Sequence, residues 1–212
     1  MFIKQMIVGS MSVCCYILAC ESTGQGMIID PGGDEDAILA ACAKQGITVV
    51  AIVNTHGHPD HVCGNAGIKQ ATGAPIIMHT EDNAFFNKPL ARQYFSMLGL
   101  AMSPPADRTV MDGDSITAGT VSLTVIHTPG HTPGGICLYS APHLFSGDTL
   151  FVGAVGRSDF PGGDQTALIA SIRERLMVLP DDTVVWPGHG YGGDSSTIGA
   201  ERRENPYING EI

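Results

Sequence analysis

The chain has 212 residues, 43% of them hydrophobic and only 15% charged, which is enough apolar material for one domain with a substantial core. Its formal charge is −10, from 11 basic and 21 acidic residues, and no Lys/Arg run breaks the pattern, so a nucleic-acid-binding surface is not expected. Twenty-seven glycines and 13 prolines are scattered rather than clustered, which indicates many turns and argues against low-complexity disorder.

Residues 2–8, 13–20 and 26–30 read as short strands, the last two joined by the polar turn Ser22-Thr23-Gly24-Gln25. The apolar run Met6 to Cys20 is similar to a lipoprotein signal. Gly9, Ser10 and Ser12 interrupt it, however, and cleavage before Cys20 would discard strand residues, so it is expected to stay in the fold. Pro31-Gly32-Gly33 stops the third strand, Asp34 is the expected N-cap of a helix to Gln45, and Gly46 closes that helix. Thr48 to Val53 has the near-continuous apolar character of a strand covered on both faces.

That strand opens into Asn54-Thr55-His56-Gly57-His58-Pro59-Asp60-His61, where Gly57 and Pro59 fit a tight turn rather than a helix. A helix to Gly73, a strand at 75–79, a helical stretch from about 81 to 99 and a Pro-rich loop at 103–107 are predicted next. Further β segments fall at 109–111, 114–117, 120–127, 136–140 and 143–146. Asp164 caps a predicted helix whose Leu168, Ile172 and Leu176 share one face, and a strand at 183–186 leads into Pro187-Gly188-His189-Gly190. No linker or repeat divides this alternation, so one α/β domain over 1–212 is expected.

Three imidazoles and a carboxylate within His56-x-His58-x-Asp60-His61 exceed what packing requires. His and Asp are natural ligands for Zn²⁺ and similar ions, and a loop after a strand can aim them at one point. His131, Asp148 and His189 share the same setting, each just past a β segment and beside a glycine that lets the backbone approach closely. The seven together predict a metal centre.

In this order, these seven residues resemble the metallo-β-lactamase superfamily, and more closely its glyoxalase II (hydroxyacylglutathione hydrolase) branch in the short single-domain form. Asp30-Pro31-Gly32-Gly33, Gly130-His131-Thr132-Pro133-Gly134, Gly147-Asp148-Thr149-Leu150-Phe151, Gly156-Arg157-Ser158-Asp159-Phe160-Pro161 and the tail Ser196 to Arg202 with Asn205-Pro206 carry the likeness across nearly the whole chain. The resemblance implies an αββα sandwich of two mixed β-sheets flanked by helices, with two divalent ions, Zn²⁺ first and Fe²⁺ or Mn²⁺ as alternatives. It implies one metal on His56, His58 and His131 and the other on Asp60, His61 and His189, with Asp148 and a hydroxide bridging them. Asp60 and Asp148 are then the catalytic carboxylates, and no serine or cysteine nucleophile is needed.

The activity implied is hydrolysis of a hydroxyacyl-thioester such as S-lactoylglutathione. The alternative is persulfide dioxygenation by one Fe²⁺ on His56, His131 and Asp148. A lactonase or β-lactamase is a further possibility within the fold, because fold does not dictate substrate. Only 23 residues follow His189, so the helical domain that longer glyoxalase II enzymes use to hold glutathione has no counterpart in this sequence, and weaker glutathione binding is expected. Arg157 is the candidate for a substrate carboxylate, with a salt bridge to Asp159 or Asp164 as the structural alternative. His127 is expected to pack at a strand end rather than orient a ligand. Met97, Leu98, Leu100 and Met102 are read as pocket mouth or packing.

Gly188-x-Gly190-x-x-Gly193 matches a dinucleotide fingerprint but leaves no room for a βαβ unit behind it. Six cysteines without metal or disulfide spacing read as buried thiols. With no stretch long enough to span a bilayer and no convincing export signal, a cytoplasmic enzyme acting on a small molecule is expected.

Overall fold

Two six-stranded sheets lie face to face in the computed structural model, which describes residues 1–210. The first sheet holds β1 (Phe2–Val8), β2 (Val13–Ala19), β3 (Gln25–Ile29), β4 (Thr48–Val53), β5 (Ile76–His79) and β6 (Arg108–Val110) in chain order. β1 to β3 are antiparallel, whereas β3 to β6 run parallel and need crossovers. α1 (Glu35–Lys44), α2 (Pro59–Val62) with α3 (Asn65–Thr72), and α4 (Thr80–Phe86) with α5 (Pro89–Ser96) supply them.

β7 (Ser115–Ala118), β8 (Val121–His127), β9 (Ile136–Ser140) and β10 (His143–Gly147) then form an antiparallel meander in the second sheet. A small hairpin follows, β11 (Leu150–Phe151) with β12 (Ala154–Val155), and then α6 (Gln165–Ser171), which continues into a π-type turn at Ile172–Leu176. β13 (Val184–Pro187) returns parallel to β10, and β14 (Ser196–Thr197) closes that edge before α7 (Ile198–Glu204) and α8 (Pro206–Asn209). Both sheets are mixed and both carry helices on their outer faces, as expected. Among the described residues no helix is long and apolar enough to cross a membrane.

Strand alternation explains why β2 is apolar throughout. Cys14, Tyr16 and Leu18 point into the space between the sheets, against Leu123, Leu138 and Phe145 of the second sheet. Cys15 and Ile17 point the other way, onto Ile38 and Cys42 of α1 and Ile68 of α3. The outer face of the second sheet packs Cys137, Leu144 and Val185 against Leu168, Ile172 and Leu176, the stripe predicted for the helix after Asp164. Each fully buried Ile or Leu contributes about 1.5–3 kcal/mol, so these three layers carry most of the driving force.

Several local expectations are corrected. Asp34 occupies the N-cap position of α1 but does not cap it. Its φ is 53°, and its carboxylate instead accepts from Gly9 N at 2.8 Å, tying the β1–β2 turn to the helix start. The helical stretch from 81 to 99 divides at Lys88-Pro89, because Pro89 cannot donate to the preceding turn and instead opens α5. The ligand loop is a turn only as far as His58. Pro59 starts a single helical turn that carries Asp60 and His61.

The two-residue strands β11, β12 and β14 and the short helices α7 and α8 were not predicted, being too short to show periodicity. Their anchor is Glu201, 3% exposed, whose carboxylate accepts from Gly153 N at 2.9 Å, Asn205 Nδ2 at 2.8 Å and Ser196 Oγ at 2.5 Å. Asn205 Nδ2 also reaches Ala154 O at 3.0 Å, so the tail clamps the β11–β12 hairpin. Glu201→Ala strands these donors and is expected to lower the unfolding free energy by roughly 3 kcal/mol, read from the urea midpoint.

Candidate metal centre

Every functional side chain sits where a strand ends at one shared edge of the two sheets. β4 delivers His56 and His58 and, through α2, Asp60 and His61; β8 delivers His131. β10 and β13 are parallel neighbours, which places Asp148 and His189 side by side, with Gly188 N donating to Gly147 O at 2.8 Å. A Cβ on Gly188 would collide with Asp148 Oδ1 and one on Gly147 with Thr55, so glycine is required at both positions. Tyr16 reaches across the sandwich to donate its hydroxyl to Pro187 O at 2.6 Å, which holds the His189 loop against the first sheet.

The seven predicted residues converge into two donor groups. His58 Nδ1 lies 2.9 Å from His131 Nε2, which lies 3.3 Å from His56 Nε2. In the other group, His61 Nε2 lies 3.2 Å from His189 Nε2, and Asp60 Oδ2 lies 3.6 Å from the former and 3.4 Å from the latter. Asp148 stands between the groups: Oδ1 is 3.4 Å from His61 Nε2 and Oδ2 is 3.6 Å from His131 Nε2.

Tautomers are set from behind. His131 Nδ1 donates to Arg157 O at 2.5 Å and His61 Nδ1 to Asp30 Oδ2 at 3.1 Å. Thr55 Oγ1 donates to Asp30 Oδ2 at 2.6 Å, leaving its lone pair for His56 Nδ1–H at 3.1 Å. The Nε2 lone pairs of His56, His61 and His131 therefore face inward, an arrangement stabilised by a cation between them. Asp148 Oδ1, buried and without a hydrogen-bond partner, points into the same space. These residues fit a pair of divalent ions.

Electrostatics agree. Burial pushes the imidazoles of His56, His58 and His131 below the ordinary range, so they stay neutral and able to ligate. Burial acts in the same sense on His61, but the Asp148, Asp60 and Asp30 carboxylates outweigh it and raise His61 to about 10, so without a cation its inward Nε2 holds a proton that a metal ion would replace. Burial likewise opposes ionisation of Asp60, yet His61 and His189 hold its carboxyl well below the usual range. The constellation demands positive charge.

Two supporting carboxylates escaped the sequence reading. Asp30, 1% exposed with φ of 49°, also accepts from Thr55 N at 2.8 Å, so one side chain positions both His56 and His61. Its only trace was the Asp-Pro-Gly-Gly break after a strand. Asp82, fully buried in α4, accepts from Gly57 N at 2.8 Å, Thr132 Oγ1 at 2.8 Å and Gly134 N at 2.5 Å, clamping two ligand loops together.

Burial raises Asp82 to about 6 despite these bonds. Its contribution to stability is therefore complete below the unfolded value near 4 and is lost as pH rises through about 6, a change of roughly 3 kcal/mol. Urea unfolding of metal-free protein at pH 4 and pH 7 is expected to show a change more negative by that amount in the wild type than in Asp82→Asn, the buried histidines contributing alike to both. Equal pH slopes would refute it.

The donors floor a cavity of about 650 Å³. Met97 and Leu98 line its mouth as anticipated, whereas Met102 packs behind it against the Phe86–Phe95 cluster. Arg157 is on the wall but forks onto Asp159, Nε–Oδ1 2.9 Å and NH2–Oδ2 2.7 Å, and lies 4.3 Å over the Phe160 ring. His127 stacks on His79 with centroids 4.1 Å apart and bonds Pro133 O at 3.0 Å, which is the packing role. Five cysteines are buried free thiols, and Cys63 is half-buried with Sγ 3.8 Å from Asp60 O.

A mixed two-sheet sandwich with two donor triads joined by a central aspartate defines a protein suited to a dinuclear metal site. The chain belongs to the metallo-β-lactamase superfamily, whose family model matches residues 9–189. An uncharacterized protein of Aquifex aeolicus is 41% identical over 100% of this chain and 99% of its own. Hydroxyacylglutathione hydrolase GloC of Haemophilus influenzae is 35% identical over 86% of each. Among solved structures, the BLEG-1 B3 metallo-β-lactamase superposes with TM-score 0.88 at 34% identity, covering 98% of this chain and 99% of that one. TTHA1623 in a di-iron-bound form gives 0.84 at 35%, covering 96% and 99%. ETHE1 from Myxococcus xanthus gives 0.83 at 30%, covering 99% and 85%. The superfamily and the hydrolase names among relatives make this chain a metallo-hydrolase in the broad sense.

Proposed function

We propose that this chain is a single-domain, cytoplasmic thioester hydrolase of the glyoxalase II type that cleaves a hydroxyacyl-thioester such as S-lactoylglutathione to the hydroxy acid and free thiol. The observation that carries the reading is the pair of intact triads, His56/His58/His131 and Asp60/His61/His189, sharing Asp148 at the floor of an open cavity. The likeness to GloC supports the substrate class, and five buried free thiols suit a reducing compartment.

His56, His58, His131, Asp60, His61, His189 and Asp148 would hold a pair of divalent ions, Zn²⁺ or Fe²⁺, which when bound would supply a water of near-neutral pKa and a Lewis acid for a carbonyl. The protein's own part is orientation and water exclusion. Asp30, Thr55 and the Arg157 carbonyl fix the imidazole tautomers, and Asp60 and Asp148 supply the negative charge that balances the cations. Phe95 and Phe160, 5.1 and 5.5 Å from the His58 ring, shield that side of the floor. Arg157, at the mouth, is the group in place to meet one substrate carboxylate once Asp159 yields.

Persulfide dioxygenation is the second reading, because His56, His131 and Asp148 alone make a compact two-His, one-Asp set. Thiol release from S-lactoylglutathione, measured beside oxygen uptake with glutathione persulfide and β-lactam hydrolysis, separates the three. Thiol release is expected to dominate. Oxygen uptake or β-lactam turnover without it would overturn the proposal.

A further inference from the structure

We propose that the site selects thioesters by an apolar group, a medium-length alkyl chain or an aromatic ring, rather than by a glutathionyl group. This rests on the thioesterase reading for the reaction but on a separate observation for the selectivity. One wall of the cavity is the end of α5 and the turn after it, where Tyr94, Met97 and Leu98 are 44%, 81% and 51% exposed around the mouth. Phe151 and Phe160 add to the apolar lining, and Tyr191, 72% exposed, stacks on the His189 ring at 4.9 Å and 11°. Side chains this apolar are left open to water, around donors that are themselves buried. That marks a surface built to be covered by ligand.

Charge points the same way. A glutathionyl group carries two carboxylates and an ammonium. Apart from the donor histidines, Arg157 is the one cationic side chain lining this cavity among the described residues, and it is already forked onto Asp159. Beyond Arg157 the wall offers a second carboxylate no cationic side chain to pair with. The apolar walls instead reward each added methylene, by about fourfold in affinity while the chain stays inside the cavity. Because Met97 and Leu98 stand at the rim, they sense the distal part of such a chain.

The test uses hydrolysis-inert thioethers, so it reads recognition without turnover. Calorimetric titrations of the full-length, metal-loaded protein compare S-methyl-, S-butyl- and S-hexylglutathione with the same alkyl series on neutral N-acetylcysteamine. Affinity is expected to rise at least tenfold from methyl to hexyl in both series, and the two hexyl ligands are expected to bind within about threefold of each other. Met97→Ser with Leu98→Ser is expected to flatten the chain-length dependence, and Arg157→Ala to leave it in place.

Equal binding of the methyl and hexyl ligands, or a neutral series that fails to bind, would overturn the selectivity. Kinetics with the matching thioesters keep the two readings apart. Turnover that strongly prefers the glutathione form at every chain length removes this inference and leaves the thioesterase standing. Chain-length-dependent binding with no turnover of any thioester removes the thioesterase instead.

Discussion

Asp148→Ala is expected to lower thioester turnover by on the order of a thousandfold or more while leaving the protein folded. Among the described residues, Asp148 is the one side chain whose two carboxylate oxygens face both donor groups, at 3.4 Å from His61 and 3.6 Å from His131. In the proposed two-metal scheme, its removal would take one donor from each position at once. In the metal-free fold Oδ1 has no hydrogen-bond partner, and the carboxylate's neighbours are the donor imidazoles rather than the hydrophobic layers. Turnover, metal content and circular dichroism on one preparation check the claim. A folded variant that retains near-wild-type rate would dismiss the shared-carboxylate scheme.

Asp30→Ala is expected to weaken metal affinity by roughly 10–100-fold and to cost about 3–5 kcal/mol of stability. The carboxylate is 1% exposed and accepts from Thr55 N, Thr55 Oγ1 and His61 Nδ1, so its loss leaves three buried donors unmatched. For a chain of this length that stability change corresponds to a fall in Tm of about 10 °C. Asp30→Asn separates charge from shape, because Asn tolerates the positive φ of 49° found here yet cannot accept from both partners as a carboxylate does. Competition against a chelator, with melts of loaded and metal-free protein, gives both numbers. If both variants melt early but hold metal as tightly as wild type, Asp30 only braces the loop.

The candidate metal ligands were legible because their chemistry is dense and local. Three histidines and an aspartate within six residues announce ligation without any three-dimensional information. His131, Asp148 and His189 could be added because each follows a strand and touches a glycine, which is also where the structure puts them. The long strands and the Leu168/Ile172/Leu176 stripe were legible for a similar reason, since a period of two or 3.6 repeats often enough to be read.

What escaped was whatever depends on distant pairing. β11, β12 and β14 have two residues each and exist because Glu201 and Asn205 arrive from the tail to hold them. Asp30 and Asp82 act on loops 25 to 52 residues away, which no local window can show. Asp34 misled for the same reason. It has the residue type of a cap, but Gly9, folded back from the preceding strand turn, claims its carboxylate.

Each donor triad draws two members from the first sheet's loop and one from the second, His131 in one case and His189 in the other. A filled centre therefore rivets the halves of the sandwich together at two points. Any substitution that changes the spacing between the layers, even at Leu138 or Phe145 deep in the interior, will register as altered ion retention well before the chain unfolds.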